Sequence, residues 1–193
     1  MKTSTKFKTT LKLLAFMLLL ALSSTLQAQN KDYKNEPGFF DFGDLSAFDT
    51  GDRITEVTLD EQLLKMASGF SKDNKNLNTL MNGLKLIKVN TFAVNNKNKD
   101  QILSKIKSFD DDLIVKKWNR IVKTRSSNEN INVYAKTGSS GQIIGLVVTN
   151  FFRKKGEASF INIIGNIDMD AMSGLSEQFQ IPSLNNLKHH KNK

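Results

Sequence analysis

Apolar and polar residues follow two different periods in the first half of the chain. Residues 54–59 alternate one by one, which is the pattern of a half-exposed strand. Thr58 stands three residues before Glu61, the spacing of a capping box, so this strand is predicted to turn directly into a helix. The helix would carry one apolar face, formed by Leu63, Met66, Ala67 and Phe70.

A second strand and a second helix follow. After a polar loop and a short helical stretch at 77–84, residues 84–94 have the pattern of a strand. The next helix is predicted from near Asp100, with apolar residues at helical spacing. It is expected to end around Asp110–Asp112, because carboxylates are unfavourable at the negative end of a helix dipole. Its apolar positions are Ile102, Leu103, Ile106, Phe109 and Leu113.

Four strand-like runs follow between residues 118 and 167. They are separated by short stretches rich in Gly, Ser and Asn, which predict hairpin turns, and they cover 118–125, 130–136, 142–152 and 157–167. The first two runs alternate and the last two are nearly all apolar, so we expect an outer pair and a more buried pair. Beyond them, Asp168 is placed to cap a third helix through 171–179, with Asp170 in its first turn.

These elements predict an α+β fold. We expect a largely antiparallel sheet of about five or six strands, with two or three helices packed mainly on one face. The alternative is a split β-α-β core of the ferredoxin-like type, extended by the C-terminal meander. A doubly wound parallel sheet is not favoured, because crossovers long enough for parallel strands are confined to the first half.

The N-terminus has the pattern of a secretory leader, with lysines, an apolar run at 13–26 and an exit that suits cleavage between Ala28 and Gln29. The run is short of the roughly 20 apolar residues of a transmembrane helix, which favours cleavage over a retained anchor. The chain contains no cysteine to carry a lipid. We therefore expect an exported, soluble protein of the periplasm or the extracellular space. Its parts would be a leader at 1–28, a flexible start at 29–38, one domain at 39–180 and a basic disordered tail at 181–193.

The formal net charge of +9 overstates how basic the folded part is. The leader carries four lysines and the stretch 188–193 three more, which leaves about +2 elsewhere. Basic residues cluster only in 115–125 and 151–157, where a solvated strand edge and a turn are favoured over a phosphate-binding surface. Trp118 could stack on a sugar or a base, but a core position is favoured. No nucleic-acid partner is expected.

Four phenylalanines, Phe39, Phe40, Phe42 and Phe48, lie close together without a helical or strand period. Two interpretations are open. The segment could fold over an open part of the core, since aromatic side chains bury a large area. Alternatively, it could remain exposed as a patch that docks a partner.

Most catalytic constellations are excluded by composition. The two histidines, His189 and His190, lie in the basic tail, so the body of the chain cannot build a Ser-His-Asp triad or an imidazole or thiolate metal cage. The stretch 137–142, TGSSGQ, lacks a Walker lysine and predicts a hairpin rather than a phosphate loop. We expect no cofactor and no metal. Carboxylate chemistry stays open, with the candidates Asp41, Asp44, Glu56, Asp110–Asp112, Asp168 and Asp170.

Several stretches resemble the DUF4252 family, which consists of secreted or lipid-anchored proteins of unknown function from Bacteroidetes-type bacteria. They are FFDFGD (39–44), ITEVTLDEQLLKMAS (54–68), INVYAK (131–136), GQIIGLVV (141–148) and FINIIGNID (160–168). Many relatives look like lipoproteins, and this chain departs from them in lacking the cysteine. The resemblance implies no activity, cofactor or site residue. Through neighbouring genes for extracytoplasmic sigma factors, it implies a link to envelope stress signalling.

Two functions of different class follow. The first is a non-enzymatic envelope protein that binds another protein through the phenylalanine segment or an exposed sheet edge. The second is a carboxylate-dependent hydrolase or a saccharide-binding protein of the envelope. The first is favoured, because an active site normally shows a convergent set of titratable groups and none is visible.

Overall fold

The computed structural model describes residues 32–49, 54–70 and 75–167. The chain divides into two units, Met1–Asp32 and Tyr33–Lys193, and the fold described below belongs to the second. The predicted leader with Ala28 and Gln29, the predicted third helix with Asp168 and Asp170, and the histidine-containing tail lie outside the described residues. The elements are β1 (Ile54–Asp60), α1 (Glu61–Phe70), α2 (Lys75–Gly83), β2 (Leu84–Ala93), α3 (Lys99–Val115), β3 (Asn119–Arg125), β4 (Glu129–Thr137), β5 (Ile143–Phe152) and β6 (Glu157–Ile167).

The strands form one six-stranded sheet in the order β1-β2-β6-β5-β4-β3, and every neighbouring pair is antiparallel. Strands β3 to β6 form the expected meander. The pairing of β6 with β2 joins this meander to the antiparallel pair of β1 and β2. Helix α3 connects β2 to β3, which lies at the opposite edge of the sheet. The α+β class is confirmed. The ferredoxin-like alternative is wrong, since the strand order differs, and of the predicted outer pair only β3 is an edge strand.

The sheet separates two hydrophobic layers. On one side, the aliphatic face, α1 and α2 pack against β1, β2 and β6. On the other side, the aromatic face, α3 and the segment 38–49 cover the sheet. Two of the three described helices therefore share one face and the third lies on the other. The buried aliphatic side chains include Leu64, Leu80, Ile87, Val133, Leu146, Val148, Ile161 and Ile163; the aromatic face includes Phe92, Ile106, Phe109, Trp118, Tyr134, Phe151 and Phe160.

Two predicted helix ends need correction. The carboxylate of Asp60 accepts a hydrogen bond from the backbone N–H of Leu63 at 2.8 Å, so Asp60 and not Thr58 caps α1. Helix α3 does not stop at Asp110–Asp112 but continues to Val115. Its extra turn buries Leu113 completely, and this burial outweighs the small unfavourable effect of exposed carboxylates near a helix end.

The segment 38–49, called the strap below, is the phenylalanine-rich stretch. Phe40, Phe42 and Phe48 are only 2%, 4% and 5% exposed, and Phe39 is half-buried. The three buried rings contact Phe109 or Phe160 with centroids 5.2–6.1 Å apart. The packing interpretation therefore holds. The alternative of an exposed docking patch is wrong for Phe40, Phe42 and Phe48, because their side chains are already covered.

One buried side chain holds the strap against the sheet. Asn162 of β6 accepts a hydrogen bond from the N–H of Phe40 at 2.9 Å and donates to the carbonyls of Gly38 and Leu146 at 3.0 Å each. The strap crosses β5 so closely that a Cβ on Gly38 would lie 2.1 Å from the Ile144 carbonyl oxygen. Glycine is required there for the close approach of two backbones.

The residues just before the strap were expected to be loose, but they make specific contacts. The Tyr33 hydroxyl accepts a hydrogen bond from the N–H of Glu61, and Glu36 forms an ion pair with Lys85 at 2.8 Å. Among the described helices, none combines the length and the apolarity that crossing a membrane requires.

Candidate binding cleft

A cleft of about 360 Å³ opens on the aromatic face beside α3. One wall is the side of α3. The opposite wall is formed by the β3–β4 turn and the ends of the adjoining strands, with the start of the β5–β6 turn. Its lining is Leu103, Ile106, Lys107, Asp110, Arg125, Ser126, Ser127, Glu129, Asn130, Phe151 and Arg153. Polar and charged groups thus surround an apolar patch of Leu103, Ile106 and Phe151.

Three cations line the cleft, and each comes from a different element. Lys107 belongs to α3, Arg125 ends β3, and Arg153 begins the β5–β6 turn. Arg153 is held in place, since its Nε donates to the Ser127 carbonyl at 2.9 Å and its guanidinium lies over the Phe151 ring. Within the part of the chain that the structure describes, none of the three forms an ion pair.

The fold brings together the two basic stretches that are far apart in sequence. The carbonyl of Asn128 accepts a hydrogen bond from the N–H of Arg153 at 2.8 Å, which ties the β3–β4 turn to the β5–β6 turn. A four-stranded meander places alternate turns at the same end of the sheet, so this neighbourhood was implicit in the predicted hairpins. The position of Lys107 could not be predicted in this way, because it depends on how α3 packs against the sheet.

A buried tyrosine stands behind the acidic side of the cleft. Tyr134 of β4 is fully buried. Burial, and after it a hydrogen bond with the Asp110 carboxylate, raise the pKa of Tyr134 from 10 to about 12, while Arg120 acts in the opposite direction. The guanidinium of Arg120 donates to the Tyr134 hydroxyl at 3.4 Å. The phenol is therefore held neutral.

Two acceptor atoms near the cleft have spare capacity. Oδ1 of Asp110 and Oδ1 of Asn132 are both buried and lack a hydrogen-bond partner. Because Oδ1 of Asp110 has no partner of good geometry, we read the Tyr134–Asp110 contact as poorly aligned. The amide nitrogen of Asn132 makes only long contacts, at 3.4 Å to Asn130 and 3.3 Å to Thr149. Both oxygens are buried, so their spare capacity faces the interior of the protein and not the open cleft.

The other candidate carboxylates are placed less favourably. Asp44 and Glu56 both line a second pocket of about 560 Å³ between the strap and β1–β2. The carboxylate of Asp44 accepts a hydrogen bond from the Ser46 N–H at 2.8 Å, and Ser46 lowers the pKa of Asp44. A general acid needs a raised pKa, so Asp44 is suited to forming a turn. Asp41 likewise accepts from the N–H of Gly43, and Asp111 and Asp112 are exposed on α3.

Two further sequence candidates have structural roles. Trp118 is buried and its ring lies edge-on to Phe40 at 6.4 Å, so it is not a stacking platform for a ligand. The stretch 137–142 forms the predicted hairpin turn, with Gly141 at a positive φ of 86°. In the described ranges there is no cluster of three or more carboxylate, imidazole or thiol side chains that could hold a metal ion.

The family model described as "Domain of unknown function (DUF4252)" matches residues 48–175. The chain belongs to the DUF4252 family. The match includes all of the cleft and every strand, while most of the strap precedes it. Comparison of this DUF4252 chain with curated proteins and with solved structures finds no match.

Proposed function

We propose that this DUF4252 protein is an exported, non-enzymatic binding protein that holds an acidic segment of a partner protein in the cleft beside α3. The observation that carries the proposal is the convergence of Lys107, Arg125 and Arg153 from three elements without an ion-pair partner among the described residues. The lining also carries two carboxylates, Asp110 and Glu129, so three cations and two anions leave the cleft with a net charge of +1, which favours an anionic ligand.

The lining supports a polypeptide ligand. Leu103 is half-buried and offers contact to an apolar side chain between the acidic ones, whereas Ile106 and Phe151 are each only 2% exposed and add little surface. Arginine also pairs with carboxylates through two parallel hydrogen bonds, and two of the three cations are arginines.

The titration of the site supports binding rather than catalysis. The one large pKa shift at the cleft belongs to Tyr134, and it moves the phenol further from neutral pH. Catalytic acids and bases are instead tuned toward the working pH. Export rests on the leader pattern, and a role in envelope stress signalling rests only on the family resemblance; both are parts of the proposal.

The proposal can be tested with a displayed library of random peptides selected on the purified protein. We expect the selected peptides to be net acidic, with an apolar residue between acids. Their affinity should fall about 10- to 100-fold in the double variant Lys107→Glu/Arg125→Glu, since each lost charge pair is replaced by a repulsion. Both side chains are exposed, so the variant should remain folded.

A matched control makes the same change of net charge at positions outside the cleft. Lys97 precedes α3 and Lys117 follows it; both are exposed and neither lines the cleft. Lys97→Glu/Lys117→Glu should bind the selected peptides within about twofold of the unaltered protein, because distant exposed charges are screened by salt. Peptides without enrichment in acids, or equal losses in both double variants, would reject the cleft as the binding site.

A further inference from the structure

Strand β3 carries three exposed cations on a single face of the sheet. They are Arg120, Lys123 and Arg125. Their partners on the aromatic face of β4 are Tyr134, Asn132 and Asn130. Residues two apart on a strand point to the same side, and the shift of register after Arg120 keeps this side chain on the face of the other two cations. One edge of the described sheet is therefore lined with positive charge.

The backbone groups of two of these cations point to the free edge. Strand β3 is an edge strand of the described sheet. The N–H of Ser126 donates to the carbonyl of Glu129 across the β3–β4 turn, so these two residues form a hydrogen-bonded pair. Such pairs alternate with non-hydrogen-bonded ones, so Thr124 bonds to β4 while Lys123 and Arg125 direct their N–H and C=O groups away from it. An added strand would meet backbone partners and a cation at the same two residues.

Charge decides which strand this edge can accept. Strand β3 contains no carboxylate, and within the described residues neither Lys123 nor Arg125 forms an ion pair. Arg120 already donates to the Tyr134 hydroxyl, which leaves Lys123 and Arg125 for a partner. The same edge of a second copy would place cations opposite cations, and edge charges oppose such pairing. Carboxylates directly opposite Lys123 and Arg125 are instead stabilised.

The opposite face of β3 is suited to apolar side chains. Ile121 and Val122 are half-buried and pack against the aliphatic layer. Thr124 lies opposite Ile131 of the same layer, so it points to this face from between the two cations. Every second side chain of an added strand would lie beside these residues, where an apolar group extends the layer. The edge therefore fits a strand in which acidic and apolar residues alternate.

We propose that the acidic partner segment adds to β3 as a further antiparallel strand, with two acids opposite Lys123 and Arg125 and one apolar residue between them beside Thr124. Every neighbouring pair in the sheet is already antiparallel. The inference rests on the function proposed above, because it states how the acidic segment is held. Arg125 belongs to both surfaces, since it ends β3 and lines the cleft. Backbone hydrogen bonds at the edge supply affinity, and alternate side chains supply specificity.

Two peptides of identical composition and charge test the alternation. In TVEVEVT the two glutamates lie on one side of a strand, whereas in TVVEEVT they point to opposite sides. Both peptides are acetylated and amidated, and NMR titration of the full purified protein measures weak as well as strong binding. We expect TVEVEVT to bind at least about tenfold more tightly. Equal affinities would overturn strand addition, since attraction by charge alone does not depend on the order of residues.

N-methylation of the peptide separates backbone pairing from charge. In the proposed register the N–H groups of the two glutamates point to β3, and those of the valines point to solvent. Methylating the nitrogens of both glutamates should weaken binding at least about tenfold, because it removes donors to the edge. Methylating the nitrogens of the two valines that follow them should change affinity no more than about threefold. Equal losses from the two modifications would contradict the pairing.

Lys123 distinguishes this inference from the function proposed for the cleft, because it is exposed and does not line the cleft. Lys123→Glu should weaken TVEVEVT about tenfold, and the matched control Lys97→Glu should remain within about twofold of the unaltered protein. A loss in Lys107→Glu/Arg125→Glu without one in Lys123→Glu would overturn strand addition and leave the cleft as the site. If no acidic peptide binds, both proposals fail. Self-association through β3 would assign the edge to a second copy and overturn this inference alone.

Discussion

The two faces of the sheet are built from different side chains, although the same strands supply both. The aliphatic face is made mainly of Leu, Ile, Val, Met and Ala side chains, with α1 and α2 packed on it, and it also buries Asn150 and Ser159 next to Ile131. The aromatic face carries phenylalanine rings, together with Tyr134, Trp118 and the buried polar residues Asn90, Asn132, Thr149 and Asn162. Aliphatic packing needs no partner for a polar atom, whereas each buried amide on the aromatic face must find one.

This difference shows where the fold can recognise other molecules. Asn162 uses its hydrogen-bonding capacity to hold the strap, and its partners are all backbone atoms. Asn132, on the neighbouring part of the same face, makes only long contacts and keeps an unpartnered oxygen. The strap closes the aromatic face near β6, and the cleft lies on the other side of the same face, beside α3 and the β3–β4 turn.

The largest expected effect comes from removing the central ring of the aromatic face. Phe160 contacts Phe42, Phe48, Phe92 and Phe109. Phe160→Ala should lower the free energy of unfolding by about 3–5 kcal/mol, because it leaves a cavity among rings that cannot collapse onto it. Urea unfolding measures this change. Leu146→Ala on the aliphatic face should cost about 2–5 kcal/mol without altering the hydrogen exchange of the strap. If Phe160→Ala and Leu146→Ala altered the hydrogen exchange of the strap equally, this result would contradict the independence of the two layers.

The two buried asparagines should differ strongly when each is replaced by alanine. Asn162→Ala removes the acceptor of the Phe40 N–H and the side-chain donor to the Gly38 and Leu146 carbonyls, and should cost about 2–4 kcal/mol. Asn132→Ala removes only long hydrogen bonds and an unsatisfied oxygen, so it should cost about 1 kcal/mol or less. Amide hydrogen exchange at Phe40 should accelerate in Asn162→Ala alone. Similar losses of unfolding free energy in Asn162→Ala and Asn132→Ala would contradict the conclusion that only Asn162 holds the strap.

Tyr134 gives the aromatic face a dependence on alkaline pH. Its pKa is raised to about 12 in the folded protein from 10, so the unfolded chain loses this proton first. Stability should be unaffected below pH 10 and fall as the pH rises from 10 to 12, by up to about 2–3 kcal/mol. Tyr134→Phe should be less sensitive over this range. Unfolding measured at pH 8 and pH 11 checks the sign, and an equal decline in both proteins would assign the effect to other groups.

The smallest expected effect on stability concerns the cations of the cleft. Lys107→Glu/Arg125→Glu should change the free energy of unfolding by no more than about 0.5 kcal/mol, because both side chains are exposed and have no ion-pair partner among the described residues. Thermal unfolding at low and at high salt measures it. A loss of several kcal/mol would mean that these cations stabilise the fold, and their role in binding would need another explanation.

Much of the fold could be predicted because the period of the apolar residues is clear. Strand β1, helix α1 and the meander follow from alternation, helical spacing and Gly-containing turns. The end of α3 could not be predicted, since it depends on the burial of Leu113 against elements that are distant in sequence. The covering of the aromatic face by the strap was one of two open interpretations, and it depends on the contacts of Asn162.

The cleft was harder to predict than the strands. Arg125 and Arg153 were visible as parts of two basic stretches, but each had a sufficient local explanation as a strand edge or a turn. Their common function becomes apparent only when the meander brings the two turns together and α3 adds Lys107. Similarly, the shifted pKa of Tyr134 arises from burial and from Asp110, which is 24 residues away in the chain.

Site-specific photocrosslinking in cells that naturally produce the protein tests the central claim most directly. A photoreactive amino acid would replace Ser127, which lines the cleft, or Ser139 in the β4–β5 turn as a matched control. The account predicts one protein partner captured from position 127 and not from 139, lost in Lys107→Glu/Arg125→Glu and crosslinked through an acidic segment. Equal capture from both positions, or capture that survives the double substitution, would contradict it.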